Sequence, residues 1–168
     1  MNISIYPLEK IVIDNVAIYF GMEQAAVETA IGKGQLVGKR CYYFNNEMAI
    51  DYSNNKVEFV EFLCGIDGVL KPQIYGNSAF ETQAKDLFEV LKEQNNGVIG
   101  DTERGYSYQF QNISVGVYRE AVPQEIQERI EEAASFGNPM SNDEIQYEMK
   151  RANYWSTIGV GVAGYYQR

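Results

Sequence analysis

"CYYFNNEMAIDYSNNKVEFVEF", residues 41–62, alternates, turns on a pair of asparagines, alternates again, and turns on a second pair. Asparagine tolerates the left-handed backbone that tight hairpins require. The stretch is therefore predicted to be a three-stranded antiparallel meander. Tyr42 and Phe44 point one way in its first strand and Tyr43 the other. In the second, Met48, Ile50 and Tyr52 share a face opposite Ala49 and Asp51. In the third, Val57 and Phe59 oppose Glu58 and Val60.

Upstream, "KIVIDNVAIYFG" (10–21) reads as two short strands turning at Asp14-Asn15. "GMEQAAVETAIG" (21–32) reads as a helix with Met22, Ala26, Val27, Ala30 and Ile31 on one face and Gly32 as its stop. The glycines of "GKGQLVGKR" (32–40) predict a loop. Downstream, "IDGVLKPQIYGN" (66–77) reads as a linker. Ser78 and Glu81 then form a capping box opening a helix with Phe80, Ala84, Leu87, Phe88 and Leu91 as its stripe and Gly97 as its end.

A second hairpin follows in "GYSYQFQNISVGVYRE" (105–120), turning at Gln111-Asn112. Tyr106, Tyr108 and Phe110 share one face of its first strand, and Ile113, Val115 and Val117 one face of its return. The order helix, loop, aromatic strand, short turn, aliphatic strand thus occurs twice, over 21–62 and 78–118. Beyond it, Pro123 suits a first helical turn, with Ile126, Ile130, Ala133 and Ala134 at helical spacing. "SFGNP" breaks that helix. A second capping box, Ser141 and Glu144, opens another with Ile145, Met149 and Ala152 as its stripe. "YWSTIGVGVAGYY" (154–166) reads as a strand. The fold class is α+β: antiparallel meander sheets with helices packed on one side. Two similar units, 1–66 and 67–120, precede a segment of acidic helices and a final strand, 121–168, in one compact domain. One continuous sheet and two separate ones both fit.

Composition narrows function. A net charge of −9 argues against nucleic acid and anionic membranes, whose phosphates must be neutralised, and permits a basic protein as partner. The charge is uneven: residues 121–148 hold seven acids and one base. No apolar run approaches a bilayer-spanning length, and the first ten residues lack the pattern of a secretory signal. The two cysteines, Cys41 and Cys64, make no disulfide framework, so a cytoplasmic location is expected.

There is no histidine, which removes imidazole bases, His-dependent nucleophiles and nearly all zinc sites. "GVGVAG" (159–164) matches G-x-G-x-x-G, but the helix that would meet a pyrophosphate does not follow within the four residues after it. "GQLVGK" (34–39) is one residue short between its glycines for a phosphate loop, and Arg40 stands where the metal-binding hydroxyl belongs. Asp101, Glu103 and Tyr106 are candidates for acid/base work but also ordinary loop residues. Asp51, Glu58 and Glu61 read as the solvent face of the first meander. No cofactor and no metal are expected.

Two features suit binding. Clustered acids at Glu125, Glu128, Glu131 and Glu132 could dock a basic partner or simply be solvated. Exposed tyrosines on a sheet face would offer contact area with few rotatable bonds. The candidates are Tyr43, Tyr106, Tyr108, Tyr118, Trp155, Tyr165 and Tyr166, although core is the commoner place for any one of them.

"IYFGMEQAAVETAIG" (18–32), "YYF" (42–44), "AIDY" (49–52) and "KVEFVEF" (56–62) together resemble the helix-plus-meander unit of beta-lactamase inhibitor protein-like domains, which carry two such units in tandem. The resemblance covers residues 11–64, and 74–120 more distantly. It implies a scaffold presenting a concave sheet to another protein. The chain departs from that family in lacking a secretion signal and a four-cysteine pattern and in adding acidic helices, so neither its target nor any binding residue carries over. In size, charge and composition the chain is similar to the immunity proteins that neutralise bacterial toxins. The expected function is a non-enzymatic protein-binding module, an inhibitor or immunity protein occluding a basic protein. The alternatives are a ligand-binding or catalytic cleft between the two units, and self-association.

Overall fold

Side chains alternate across a strand with period two, and the first nineteen residues use that alternation three times. In the computed structural model, which describes residues 1–168, Ile3–Tyr6 (β1), Lys10–Ile13 (β2) and Val16–Tyr19 (β3) form an antiparallel meander. Ile3, Ile5, Ile11, Ile13 and Ile18 all turn into the core. The next helix, Gln24–Ile31 (α1), buries only Val27; Ala26 and Ala30 are exposed, so its packed face is narrower than the sequence spacing predicts.

The central meander has the strands and turns its sequence predicts, but a bulge opposite Asp51 and Tyr52 corrects the faces of its third strand: Val57 joins Val60 and Phe62 in the core, and Phe59 turns to the other face, against Tyr165. Arg40–Tyr43 (β5), Met48–Ser53 (β6) and Lys56–Phe62 (β7) pair antiparallel, and Asn45, Asn46, Asn54 and Asn55 all take positive φ. The preceding "loop" contains a strand, Gln35–Val37 (β4), paired with β5 across a turn at Gly38. Gly34 belongs to that packing, since a Cβ there would collide with Cys41 and the Tyr43 ring.

The predicted linker also contains strands. After a 3-10 turn at Gly65–Asp67, Pro72–Ile74 (β8) runs parallel to β1, with Ile5 opposite Ile74, and Asn77–Ser78 (β9) turns back on it. Three residues headed by a proline give too short a pattern to read as a strand. The Ser78–Glu81 pair closes a turn; the helix begins later, at Ala84–Asn95 (α2). It ends in Asn96, which adopts the left-handed conformation one residue before the Gly97 expected as its end. Ile99–Gly100 (β10), Ser107–Phe110 (β11) and Val115–Tyr118 (β12) follow. The β11–β12 connection spans four residues. The buried Asn95 carboxamide organises it, accepting from the Asn112 and Ile113 amides at 2.8 and 3.3 Å.

Pro123–Ser135 (α3) and Asn142–Asn153 (α4) are the expected helices, the second with its Ser141–Glu144 capping box formed. Thr157–Gly161 (β13) is shorter than predicted. The chain then turns through Gly164 at positive φ into a 3-10 turn, Tyr165–Gln167.

The strands form two sheets, β3-β2-β1-β8-β9 and β10-β11-β12-β13-β7-β6-β5-β4. The large sheet is antiparallel throughout and is continuous only because β13 pairs with β12 on one side and β7 on the other. Both meanders run from an outer edge toward that strand. One hydrophobic cluster of 27 buried residues draws on both sheets and both units, with Phe62, Phe80, Leu87, Leu91, Phe110 and Trp155 among its largest members.

The glycines of "GVGVAG" are explained by this arrangement. Gly159 and Gly161 share one face of β13, and Gly116 of β12 pairs with Gly159. Together they leave a bare trough. A side chain at Gly116 would overlap Tyr166, and one at Gly159 would overlap Phe59. Tyr165 stacks on Phe59 at 4.4 Å, and Tyr166 meets the same ring edge-on at 6.1 Å.

Gly159→Val is expected to lower stability by about 1–3 kcal/mol through overpacking, read by urea denaturation; an unchanged midpoint would contradict the packed trough. Leu87→Ala is expected to lose about 2–5 kcal/mol as a core deletion, measured the same way.

Candidate functional site

Of the tyrosines and the tryptophan expected to bind, only Tyr118 is exposed. Tyr43 is only 5% exposed, because β5 directs it into the core, where its hydroxyl lies 2.8 Å from that of Tyr52. Trp155 is 1% exposed, held between the Tyr108 ring and the Arg119 guanidinium. Both belong to the interior, not to a surface. Tyr108 is half-buried, edge-on to Phe88 at 4.7 Å. Tyr106 is half-buried and donates its hydroxyl to Glu125. Tyr118 is exposed. Tyr165 and Tyr166 are half-buried over the glycine trough.

The remaining polar candidates have local duties. Asp101 accepts from the Gly105 amide at 2.9 Å and so closes its own loop. Asp51 and Glu61 both bind Arg40, the first at 2.8 Å, and Glu58 pairs with Arg168 at 2.8 Å. Those three carboxylates are thus ion-paired on the back of the large sheet rather than simply solvated. The hydrogen bond from Arg40 to Asp51 holds that guanidinium's pKa above its ordinary value, against the opposing effect of burial. No three His, Cys, Asp or Glu side chains converge as metal ligands, and no helix is long and apolar enough to cross a membrane.

The exposed aromatic row lies on the small sheet. Tyr6, Lys10 and Tyr19 are cross-strand neighbours, with the Lys10 ammonium 5.3 and 5.6 Å from the two ring centroids. Tyr6 is the last residue of β1 and Tyr75 the first after β8, and since Ile5 pairs with Ile74 the two lie at the same end of the sheet. Sequence reading missed this row because β1 and β8 were not recognised as strands. The signal was the repeated Ile-Tyr at 5–6 and 74–75.

The four acids Glu125, Glu128, Glu131 and Glu132 are all exposed on α3. Gln124 and Gln127 each donate to a glutamate one turn on, Glu128 and Glu131, steadying two of them. Arg129 is drawn instead to Glu148 of α4. Glu125, Glu128, Glu131, Glu132 and Asp143 therefore have no basic partner.

The helices α3 and α4 leave and rejoin the large sheet at one point. Tyr118 and Thr157 are paired residues of β12 and β13, and the Ser156 amide donates to the Tyr118 carbonyl at 2.7 Å. Residues 119–156 are thus an excursion inserted into what would otherwise be a β-hairpin. A small core of its own, Ala121, Ile126 and Ala152 flanked by Ile130 and Met149, joins the two helices. Contacts to the body cluster at the base, Tyr106 to Glu125 and Lys150 to Asp67 at 2.6 Å, where Arg151 and Glu120 of the excursion also pair with each other at 2.6 Å. Thirteen residues of α3 carry its far end about 20 Å from that base. There Phe136 stands 79% exposed beside a cleft of about 430 Å³ formed with Arg129, Glu132, Met140 and Glu144. The tip thus sets one exposed aromatic among carboxylates.

Compared with known proteins, the chain matches no family model, no curated protein and no solved structure.

Burial pushes the Cys64 thiol and the Tyr52 phenol up to about 12, and raises Tyr43 and Tyr166 as well. The unfolded chain therefore loses these protons first, from the ordinary values of 9.0 and 10.0 upward. Their contribution to stability is complete below pH 9 and declines as pH rises toward about 12. Urea unfolding across that range is expected to show the decline. A thiol reagent at pH 8 is expected to leave Cys41, which is buried, and Cys64 unmodified until denaturant is added.

Proposed function

We propose that the chain is a non-enzymatic protein-binding module, an inhibitor or toxin-immunity protein, whose acidic helical excursion docks and occludes a basic protein. The observation that carries this reading is the far end of the excursion: unpaired carboxylates on α3 lead to an exposed Phe136 beside an open cleft. Clustered charge accelerates encounter with a basic partner and selects against acidic ones. A buried aromatic anchor then supplies the slow dissociation that charge alone does not. The likeness of residues 11–64 to inhibitor-type domains supports the reading at the level of scaffold. Two reduced thiols and a net charge of −9 are in keeping with work in the cytoplasm on a protein target.

The test compares three immobilised proteins against lysate of the source cells: the native chain, Glu128→Lys/Glu131→Lys/Glu132→Lys, and Phe136→Ser. The native chain is expected to retain a basic protein that salt releases. The triple variant is expected to lose it through slower association. Phe136→Ser is expected to lose it through faster dissociation, by roughly tenfold or more. Identical retention on all three would remove the excursion from the mechanism. A chain in which a short glycine-rich turn replaces residues 121–153 is expected to unfold cooperatively, because the main core lies outside that segment, but to retain nothing.

A further inference from the structure

A second depression lies where α2 meets the base of the excursion. Its volume is about 200 Å³, with Ala84, Phe88, Tyr108 and Trp155 as apolar walls and Lys85 and Arg119 as cations. Three arginines of this chain are partly buried: Arg40, Arg119 and Arg151. Arg40 is paired with Asp51 and Glu61, and Arg151 with Glu120 and Glu148. Arg119 has no carboxylate within ion-pair distance, although the chain carries 23 acids. Its Nε and Nη1 donate to the carbonyls of Gly105 and Ala152 at 2.9 and 3.0 Å, which fixes the guanidinium plane, and its Nη2 has no partner. Burial lowers its pKa, so its charge is held without compensation.

The Tyr108 hydroxyl is likewise without a hydrogen-bond partner. It lies close to Arg119 Nη2, since a Cβ built on the neighbouring Gly105 would stand 3.4 Å from the hydroxyl and 3.7 Å from the nitrogen, and both residues line the cleft. Lys85 also makes no ion pair. Glu89, the one acid on the rim, pairs with Lys92 at 3.3 Å. An acidic protein thus keeps one cationic cleft with flat apolar walls and unused donors.

We propose that this cleft binds a carboxylate carried on a small, flat, apolar body, with Arg119 and Tyr108 donating to its oxygens and Phe88 and Trp155 enclosing the remainder. A guanidinium suits a carboxylate because its donors lie in one plane. The walls disfavour a bare inorganic anion, which would leave them unfilled. The carboxylate could come from a free small molecule or from the C-terminus of a peptide, since both present the same group.

Trp155 is the only tryptophan and forms one wall, so its fluorescence reports occupancy directly. The probe is sodium benzoate, titrated at constant ionic strength against benzyl alcohol, its neutral counterpart. Benzoate is expected to give a saturable change, with benzyl alcohol roughly tenfold weaker or more. Tyr108→Phe and Lys85→Gln leave the ring packing and both carbonyl contacts of Arg119 in place. Each is expected to weaken benzoate roughly threefold or more at an unchanged melting temperature. Arg119→Gln is expected to abolish the response; because it also removes those carbonyl contacts, the two milder variants decide the matter. N-acetyl-phenylalanine displacing benzoate, when its amide does not, would assign the site to peptide termini; benzoate binding without such displacement would assign it to free small molecules. No saturable response to benzoate, equal responses to benzoate and benzyl alcohol, or variants that bind like the native chain would each overturn the proposal.

Discussion

The large sheet depends on one strand. Without β13, the β4–β7 meander and the β10–β12 meander each present an open edge, and nothing in the backbone pairing connects them. With it, Ile158 and Val160 complete the apolar face between Phe62 and Val60 on one side and Val117 and Val115 on the other. The pairing joins residues about a hundred apart in sequence, such as Val60 and Val160. Ordering so long a loop is entropically unfavourable until both neighbours are in place, so this step belongs late in folding. Glycines in a central strand lose further stability relative to bulkier residues. Here the loss is offset by the two tyrosines and Phe59, which fill the space the glycines leave.

The same strand explains why the acidic helices stand apart. They interrupt adjacent antiparallel partners, so both ends of the excursion meet at a single hydrogen-bonded neck. Its small core is separate from the main one. Arg119 and Trp155 lie at the junction, where the last residue of the sheet's reach meets the first of the helices'. Burying the Trp155 Nε1–H without an acceptor is a cost of that junction, of order 1–3 kcal/mol for such a group. The edge-to-face contact of the indole with Tyr108 and the Arg119 guanidinium 5.1 Å from its ring centroid work against it.

Much of this was legible in the chain. The paired asparagines gave the β5–β7 meander, because a left-handed two-residue turn leaves few alternatives. The Ser141–Glu144 capping box gave the start of α4. The same motif at Ser78–Glu81 misled, since its hydrogen bonds can close a turn without propagating a helix. Short strands such as β4 and β8 have too few residues for a period to show, and they exist through their partners, β5 and β1. The candidate surface was legible in half: charge counting found the acids of α3, whereas Phe136 was hidden in a segment read only as a helix break. Tyr43 and Trp155 were misplaced because alternation says which residues share a face but not which face is covered. The cationic cleft was invisible, as Lys85, Tyr108 and Arg119 come together only through tertiary packing.

The neck between Tyr118 and Ser156 also bears on how such a protein can change over generations. A substitution at a core-facing position of an inner strand must suit neighbours on two strands and the side chains packed against that face, so most are removed by selection for stability. Exposed positions of α3 and the following turn touch little beyond their own helices, and replacements at such sites alter stability by no more than about 0.5 kcal/mol. Because both ends of the excursion are anchored together, its length and charge can drift as well. The exposed surface of the excursion can therefore be rewritten rapidly over generations while the sheet beneath it stays nearly still.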